Sequence, residues 1–508
     1  ISGAENTDTI LSISIAPTNP KVIWVGTDDG YVWVTRDGGT HWHKVIPDLP
    51  SSARLGRIYQ IGVSPFSAGT AYVAVDAHMM GDDHPYVYRT SDYGRDWHRI
   101  TDGLPDDASA VVVREDPNRK GLLALGTERG LYVSHDNGNH WMHLKANLPV
   151  MAVWDLKFTR DPHDLVLATH GRGFWVFDNI QPLEEWNGTV AHKDLHLFHA
   201  STGTEWVKYY GRHISPGPTA FVASNPPSGP VIAYYLKSPA KGAKATIKVT
   251  DAKGNAVATF HGPAKAGINR IAWNMRYDGA KLPKFMKGAF NRGGHGPNGP
   301  IALPGTYHVT VTVAKHSGEQ TVQVVSDPRL NIPMTTQSKA LHTGLAMRND
   351  VDALVQILER THTMLSTLGN VIGNTADAAK GSDKAAVHDA AVVLKKKLGA
   401  MAMNLYNPKV QRSVPEDDLH YISRFGERFF GLYQMAGQMG PNQAPNAEQM
   451  GKVKAMESRF QDVLAKFNGA LRQDVKKFNE QAYKAGVQTL SVGEPVKVKP
   501  VKMPVSAQ

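Results

Sequence analysis

The chain of 508 residues contains no cysteine, which excludes disulfide staples, thiolate metal sites and a cysteine nucleophile. It also has no run near the roughly 18 apolar residues that a membrane-spanning helix needs. A basic stripe interleaved with aromatic residues, the footprint of a nucleic-acid binder, is missing too. The net charge of +10 is spread along the chain, apart from Lys395, Lys396 and Lys397 and the tail residues Lys497, Lys499 and Lys502. Such a charge reads as solubility. No secretory leader is visible, and the opening at Ile1 rather than Met leads us to expect a gene that starts further upstream.

What is present is a repeat. Thr35-x-Asp37-x-Gly39-x-x-Trp42, Thr90-x-Asp92-x-Gly94-x-x-Trp97 and Ser134-x-Asp136-x-Gly138-x-x-Trp141 share one pattern, Ser/Thr-x-Asp-x-Gly-x-x-Trp. Fixed-period similarity of this kind marks a repeat architecture. The chemistry of the pattern is that of a tight hairpin. The carboxylate accepts N–H groups of its own turn, glycine supplies the positive φ, and the Trp ring covers the turn and fills space between layers. The repeated hydroxyl, Asp and Trp therefore read as turn builders rather than as a catalytic set.

Before each repeat come short β-branched and aromatic runs separated by turn signals: Leu11–Ala16, Val22–Gly26 and Tyr31–Thr35 ahead of the first, with the same order over Gly62–Thr90 and Val111–Ser134. The order returns over Leu156–Phe177, where the motif has decayed to Asp178-Asn179. This predicts four blades of four strands each, the last completed by Leu183–Trp186. Rings of four to eight blades are typical, and we expect a split ring whose missing blades come from an upstream segment or another chain.

The repeated motif matches the Asp-box, or BNR repeat, and the chain resembles the C-terminal half of large bacterial exported proteins with sortilin-like Asp-box propellers. Val25-Gly26-Thr27-Asp28-Asp29-Gly30 and Thr169-His170-Gly171-Arg172-Gly173-Phe174-Trp175 carry the likeness, together with the order of the later segments. The resemblance implies an extracellular or periplasmic location. Members are often labelled glycosyl hydrolases, because Asp-box propellers also occur in sialidases and xyloglucanases. That label is fold analogy, and the arginine triad and Tyr-Glu pair of a sialidase are not found here.

If the repeat joins third and fourth strands, the turns between second and third strands lie at the opposite end, with the inter-blade loops. That mouth would present Asp28, Asp29, Arg54, Arg57, His78, Asp82, Asp83, His84, Glu128, Arg129, His170 and Arg172. Mixed carboxylates, His and Arg suit a polar ligand such as a glycan or peptide. A glycosidase would need two carboxyl groups about 5–9.5 Å apart, and no pair is singled out, so the catalytic residues stay unknown. No cofactor and no metal site is expected; His192, His196 and His199 read as packing.

The domain organisation expected is a partial propeller over 1–186, a linker over 187–216, an Ig-like (FlgD-type) β-sandwich over 217–327, a helical domain over 328–491 and an extended basic tail over 492–508. The sandwich rests on runs such as Val231–Leu236, Ala245–Asp251 and Gly305–Val313, and on Gly267–Tyr277 with Leu303–Tyr307, which resemble FlgD-type modules. Strands are also expected at Ala220–Ala223 and a flexible insertion at Gly288–Pro300. Four helices follow from apolar stripes at i, i+3, i+4 and i+7, among them Val351-Leu354-Leu358 and Leu419-Ile422-Phe425-Phe429. Two functions from different classes stand: a noncatalytic binding or assembly module, or a glycoside hydrolase sharing its carboxylates with further blades.

Overall fold

Three tight turns per repeat let a short stretch of chain fold into a meander. The computed structural model describes residues 8–207, 227–240, 242–285, 297–407, 422–437 and 443–504. Strands β1 (Ile10–Ile15), β2 (Ile23–Thr27), β3 (Val32–Thr35) and β4 (His43–Lys44) form the first antiparallel sheet in sequential order. The second is β5 (Ile61–Val63), β6 (Ala71–Val75), β7 (Tyr86–Thr90) and β8 (His98–Arg99). The third is β9 (Ala110–Glu115), β10 (Leu123–Thr127), β11 (Gly130–Ser134) and β12 (Met142–His143). The fourth holds β13 (Val153–Phe158), β14 (Leu165–Thr169) and β15 (Phe174–Phe177).

Period-2 alternation gives each sheet two apolar faces, and the sheets stack face on face. The trailing face of the first sheet (Trp24, Val32, Val34) packs on the leading face of the second (Ile61, Val73, Tyr88). Tyr72, Ala74 and Val87 then meet Val113, Leu123 and Leu125, and Val112, Ala124 and Leu131 meet Leu156, Leu165 and Leu167. A Cβ on Gly62 would lie 2.2 Å from the Val113 carbonyl oxygen, so only glycine allows this approach. These stacked meanders are blades of a partial β-propeller.

The fourth sheet departs from expectation. Leu183–Trp186 is not its fourth strand: Gln181–Glu185 forms the short helix α1. Pro182 sits in the first helical turn, where its missing N–H costs nothing. Asn179, at φ 54°, turns the chain before it and accepts the Gln181 N–H at 3.1 Å.

Next come α2 (Gly188–His192), capped by the Asn187 side chain, and β16 (Leu195–Leu197), β17 (Gly203–Glu205), β18 (Val231–Leu236), β19 (Ala245–Asp251), β20 (Ala256–Gly262), β21 (Gly267–Ala272), β22 (Gly305–Val313) and β23 (His316–Ser326). They make a three-stranded sheet, β16-β18-β21, and a five-stranded one, β17-β23-β22-β19-β20, in which β17 runs parallel to β23. The chain divides into two compact units: Ile1–Ser201 with Ile232–Lys241 and Lys265–Arg270, and Thr202–Val231 with Gly242–Ala264 and Ile271–Gln508. The expected strand at Ala220–Ala223, most of the Gly288–Pro300 insertion and Leu419 lie outside the described residues.

The second unit adds helices α3 (Met334–Asn374), α4 (Asp383–Leu405), α5 (Phe425–Gly437), α6 (Ala447–Ala470) and α7 (Lys476–Lys484), a π-turn over Leu471–Val475 joining the last two. Ser382 caps α4, and Asn446 with Gln449 forms a reciprocal capping box on α6. Val351, Leu354, Leu398, Phe429, Phe460 and Phe467 share one buried core. The basic tail lies extended on this bundle. Asn468 both donates to the Val496 carbonyl and accepts its N–H at 2.9 Å, and Asn479 does the same for Leu490. Among the described residues no helix is long and apolar enough to cross a membrane.

Candidate functional site

The three repeat turns share one hydrogen-bond pattern. Thr35, Thr90 and Ser134 donate their hydroxyls to Asp37, Asp92 and Asp136 at 2.8, 2.9 and 2.7 Å. The same hydroxyls accept the N–H of Gly39, Gly94 and Gly138, each at 2.9 Å. The carboxylates also accept the N–H of His41, Asp96 and His140. Those backbone donors hold the Asp37 carboxyl well below the usual range, and Asp92 and Asp136 are lowered too. The acceptors are spent inside the turns, so these groups hold structure.

At the opposite end the sequence-predicted residues fall into separate groups. Asp28 accepts the Thr9 N–H at 2.9 Å, and the buried Asp29 accepts the Thr27 hydroxyl. Beside them Asp8, absent from the sequence reading, is hydrogen-bonded to Asp29, and this contact raises its carboxyl. Its conformation at φ 68° and its place ahead of the first strand gave no pattern to find it by.

On the second sheet, Asp82 accepts from the Tyr86 hydroxyl at 2.8 Å and from the His84 N–H at 3.1 Å. Burial pushes its carboxyl up, but hydrogen bonds from Ser52, Tyr86 and His84 outweigh it and hold the group well below the usual range. His78 pairs with the buried Asp76 at 2.7 Å. Asp83 and Arg54 are exposed. Arg129 pairs with Asp107 at 2.9 Å on the third sheet, next to the half-buried Glu128, and Arg172 is exposed on the fourth.

Two of these residues are joined by a feature the sequence reading missed. Arg57 donates to the Tyr59 hydroxyl at 3.1 Å. The Tyr59 ring lies 5.5 Å from Trp154, and Trp154 lies 4.9 Å from the exposed His170 ring. Tyr59 precedes β5 and Trp154 is the second residue of β13, so both stand where an inner strand leaves its inter-blade loop. The Trp154 indole N–H is buried with no hydrogen-bond partner among the described residues. A signal was available: Leu11, Tyr59, Val111 and Trp154 hold one register position, four residues ahead of Ile15, Val63, Glu115 and Phe158, and two of the four are large aromatics with polar tips.

At the end where the repeat turns lie, a cavity of about 280 Å³ is lined by Ser14, Ile61, Arg114, Glu115, Lys157 and Phe158, among others. Arg114 is engaged there. It donates to Gln60, to the Ile61 carbonyl at 3.4 Å and to the Leu156 carbonyl at 3.3 Å, tying the inner strands of three sheets together. Among the described residues no group of three His, Asp or Glu side chains is placed to hold a metal ion.

No protein-family model matches the chain, and no curated protein does. Similar solved structures include YCF48 from Cyanidioschyzon merolae, at 20% identity and a TM-score of 0.26 over 33% of this chain and 52% of that one. A GH74 xyloglucanase from Xanthomonas campestris matches at 15% identity and a TM-score of 0.28, over 61% of this chain and 43% of that one. The β-propeller domain of Myceliophteria thermophila Cps50 (Swd1) matches at 11% identity and a TM-score of 0.28, over 50% and 74%. The match thus spans about half the length of the first of these, 52%. At such scores the propeller assignment rests on this chain's own stacked sheets.

Proposed function

We propose that the chain is part of an exported, sortilin-like Asp-box propeller protein that binds a polar ligand or protein partner at its mouth without turning it over. The observation that carries this reading is the Arg57–Tyr59–Trp154–His170 series. It offers aromatic faces, a guanidinium and the exposed His170 ring in one place, the chemistry that stacks and hydrogen-bonds a sugar ring or a peptide. The carboxylates at the same end serve their own loops: Asp28 and Asp82 accept backbone N–H groups and Asp29 a hydroxyl. The Ig-like and helical segments would then serve as partner-binding modules, and further blades, from an upstream segment or another chain, would complete the ring.

A glycoside hydrolase is the second reading, and the neighbouring Asp8 and Asp29 carboxyls, two acids side by side, favour it. Against it, Asp8 touches Asp29 at hydrogen-bond range, closer than the roughly 5–9.5 Å that either glycosidase mechanism needs. The test is a tryptophan-fluorescence titration with a panel of oligosaccharides and peptides. Trp154→Ala and Arg57→Ala should weaken any ligand found by tenfold or more. Equal affinity in both variants would remove the site.

A further inference from the structure

The junctions of the second sheet on the first and of the third on the second share three parts, and the junction of the fourth sheet on the third, where the repeat motif is lost, keeps the first of them. The leading face buries an apolar set: Ile61, Val113 and Leu156 hold one register position and are 0%, 0% and 2% exposed. The repeat Trp of the later sheet donates to a carbonyl just past the fourth strand of the earlier one. Trp97 bonds the Val45 carbonyl at 3.1 Å, and Trp141 bonds the Ile100 carbonyl at 2.8 Å. The repeat glycine closes against the side chain of that same acceptor residue, Gly94 on Val45 and Gly138 on Ile100.

On the first sheet all three parts are present and, among the described residues, none is engaged with a neighbouring sheet. Ile13 and Ile15, in the register of Ile61 and Val63, are 66% and 57% exposed. Trp42 turns its indole N–H back to the Gly39 carbonyl of its own turn at 3.1 Å and is 40% exposed, against 4% for Trp141. Among the described residues nothing stands against Gly39 except the far end of that same Trp42 ring.

We infer that this face is a docking surface for one further four-stranded antiparallel blade. That blade presents small and branched apolar residues to Ile13 and Ile15, and a free carbonyl just past its fourth strand to Trp42. The inference rests on the propeller reading and continues an interface the chain already makes twice in full. A second copy of this chain fits less well. Its open end is the fourth sheet, where Phe174 and Val176 are 80% and 51% exposed, but that sheet has three strands and runs into α1. It has no fourth-strand carbonyl to give.

The experiment uses the chain's own complete blades as the probe. A copy of residues 110–152, the third sheet with its outgoing linker, is fused directly ahead of Ile10, and in a second variant a copy of residues 57–109 is used instead. Hydrogen exchange read by mass spectrometry should slow at least tenfold over residues 10–15 and 39–45 in at least one fusion. Ile13→Lys should abolish that protection, and Trp42→Phe should cut it within 39–45. No protection in either fusion overturns the proposal. So does a dimer of the unfused chain in sedimentation that both Ile13→Lys and Phe174→Lys dissolve, because the occupant would then be a second copy. The Trp154 ligand titration is read separately, so failure of the mouth and failure of the docking face are distinguishable.

Discussion

Glu205, the last residue of β17, offers the sharpest test of how the second unit is held together. It is 3% exposed, and among the described residues neither carboxyl oxygen has a hydrogen-bond partner. Burial pushes its carboxyl up to about 8 from the ordinary 4.5, with the Arg276 charge opposing. The folded-state value is above the unfolded one, so the group's stabilising contribution is complete below about pH 4.5 and is lost as pH rises to about 8. A shift of that size corresponds to roughly 5 kcal/mol in total, of which about 4 kcal/mol falls between pH 5 and pH 9. Glu205→Gln keeps the shape and removes the ionisation. Urea titrations read by pulse hydrogen exchange on peptides from β22 and β23 should show the unsubstituted chain losing stability from pH 5 to 9, and the variant losing several kcal/mol less. The same pH slope in both proteins, or a variant weaker at pH 9, would mean that Glu205 does not ionise at a cost to the fold.

Two other substitutions test the helical part. Burial, with Glu457 nearby, raises Asp350 of α3 to about 7. Asp350→Asn should therefore raise the helical melting transition at pH 8 and give no gain at pH 4, as measured by circular dichroism at 222 nm. Asn468 clamps the tail through both the N–H and the carbonyl of Val496. Asn468→Ala should cost about 1–3 kcal/mol locally and speed proteolysis within residues 490–500, with little change in the cooperative unfolding of the propeller sheets.

Much of the architecture was legible because it is local. The period-2 runs placed β18, β19 and β22 to the residue, and the apolar stripes anticipated α3, α4 and the long α6. Where the reading failed, a non-local or competing local cue decided. Leu183–Trp186 has the apolar and acidic look of an edge strand, but Pro182 and the Asn179 turn start a helix instead. The mouth was harder. Listing polar loop residues by face found Arg57 and His170 but not Tyr59 and Trp154, which connect them, because the joining contacts cross from the second sheet to the fourth. The tail's docking depends on Asn349, Asn468 and Asn479 matching backbone groups remote in sequence, which no spacing reveals.

Binding at the mouth without turnover is a property that one experiment can read in full. The most direct measurement incubates the chain with a panel of polysaccharides and oligosaccharides, follows reducing-end release, and titrates the same compounds by tryptophan fluorescence. The expected result is saturable binding of at least one compound, lost in Trp154→Ala, with no reducing ends released. Sustained release that Asp8→Asn or Asp29→Asn abolishes would contradict it.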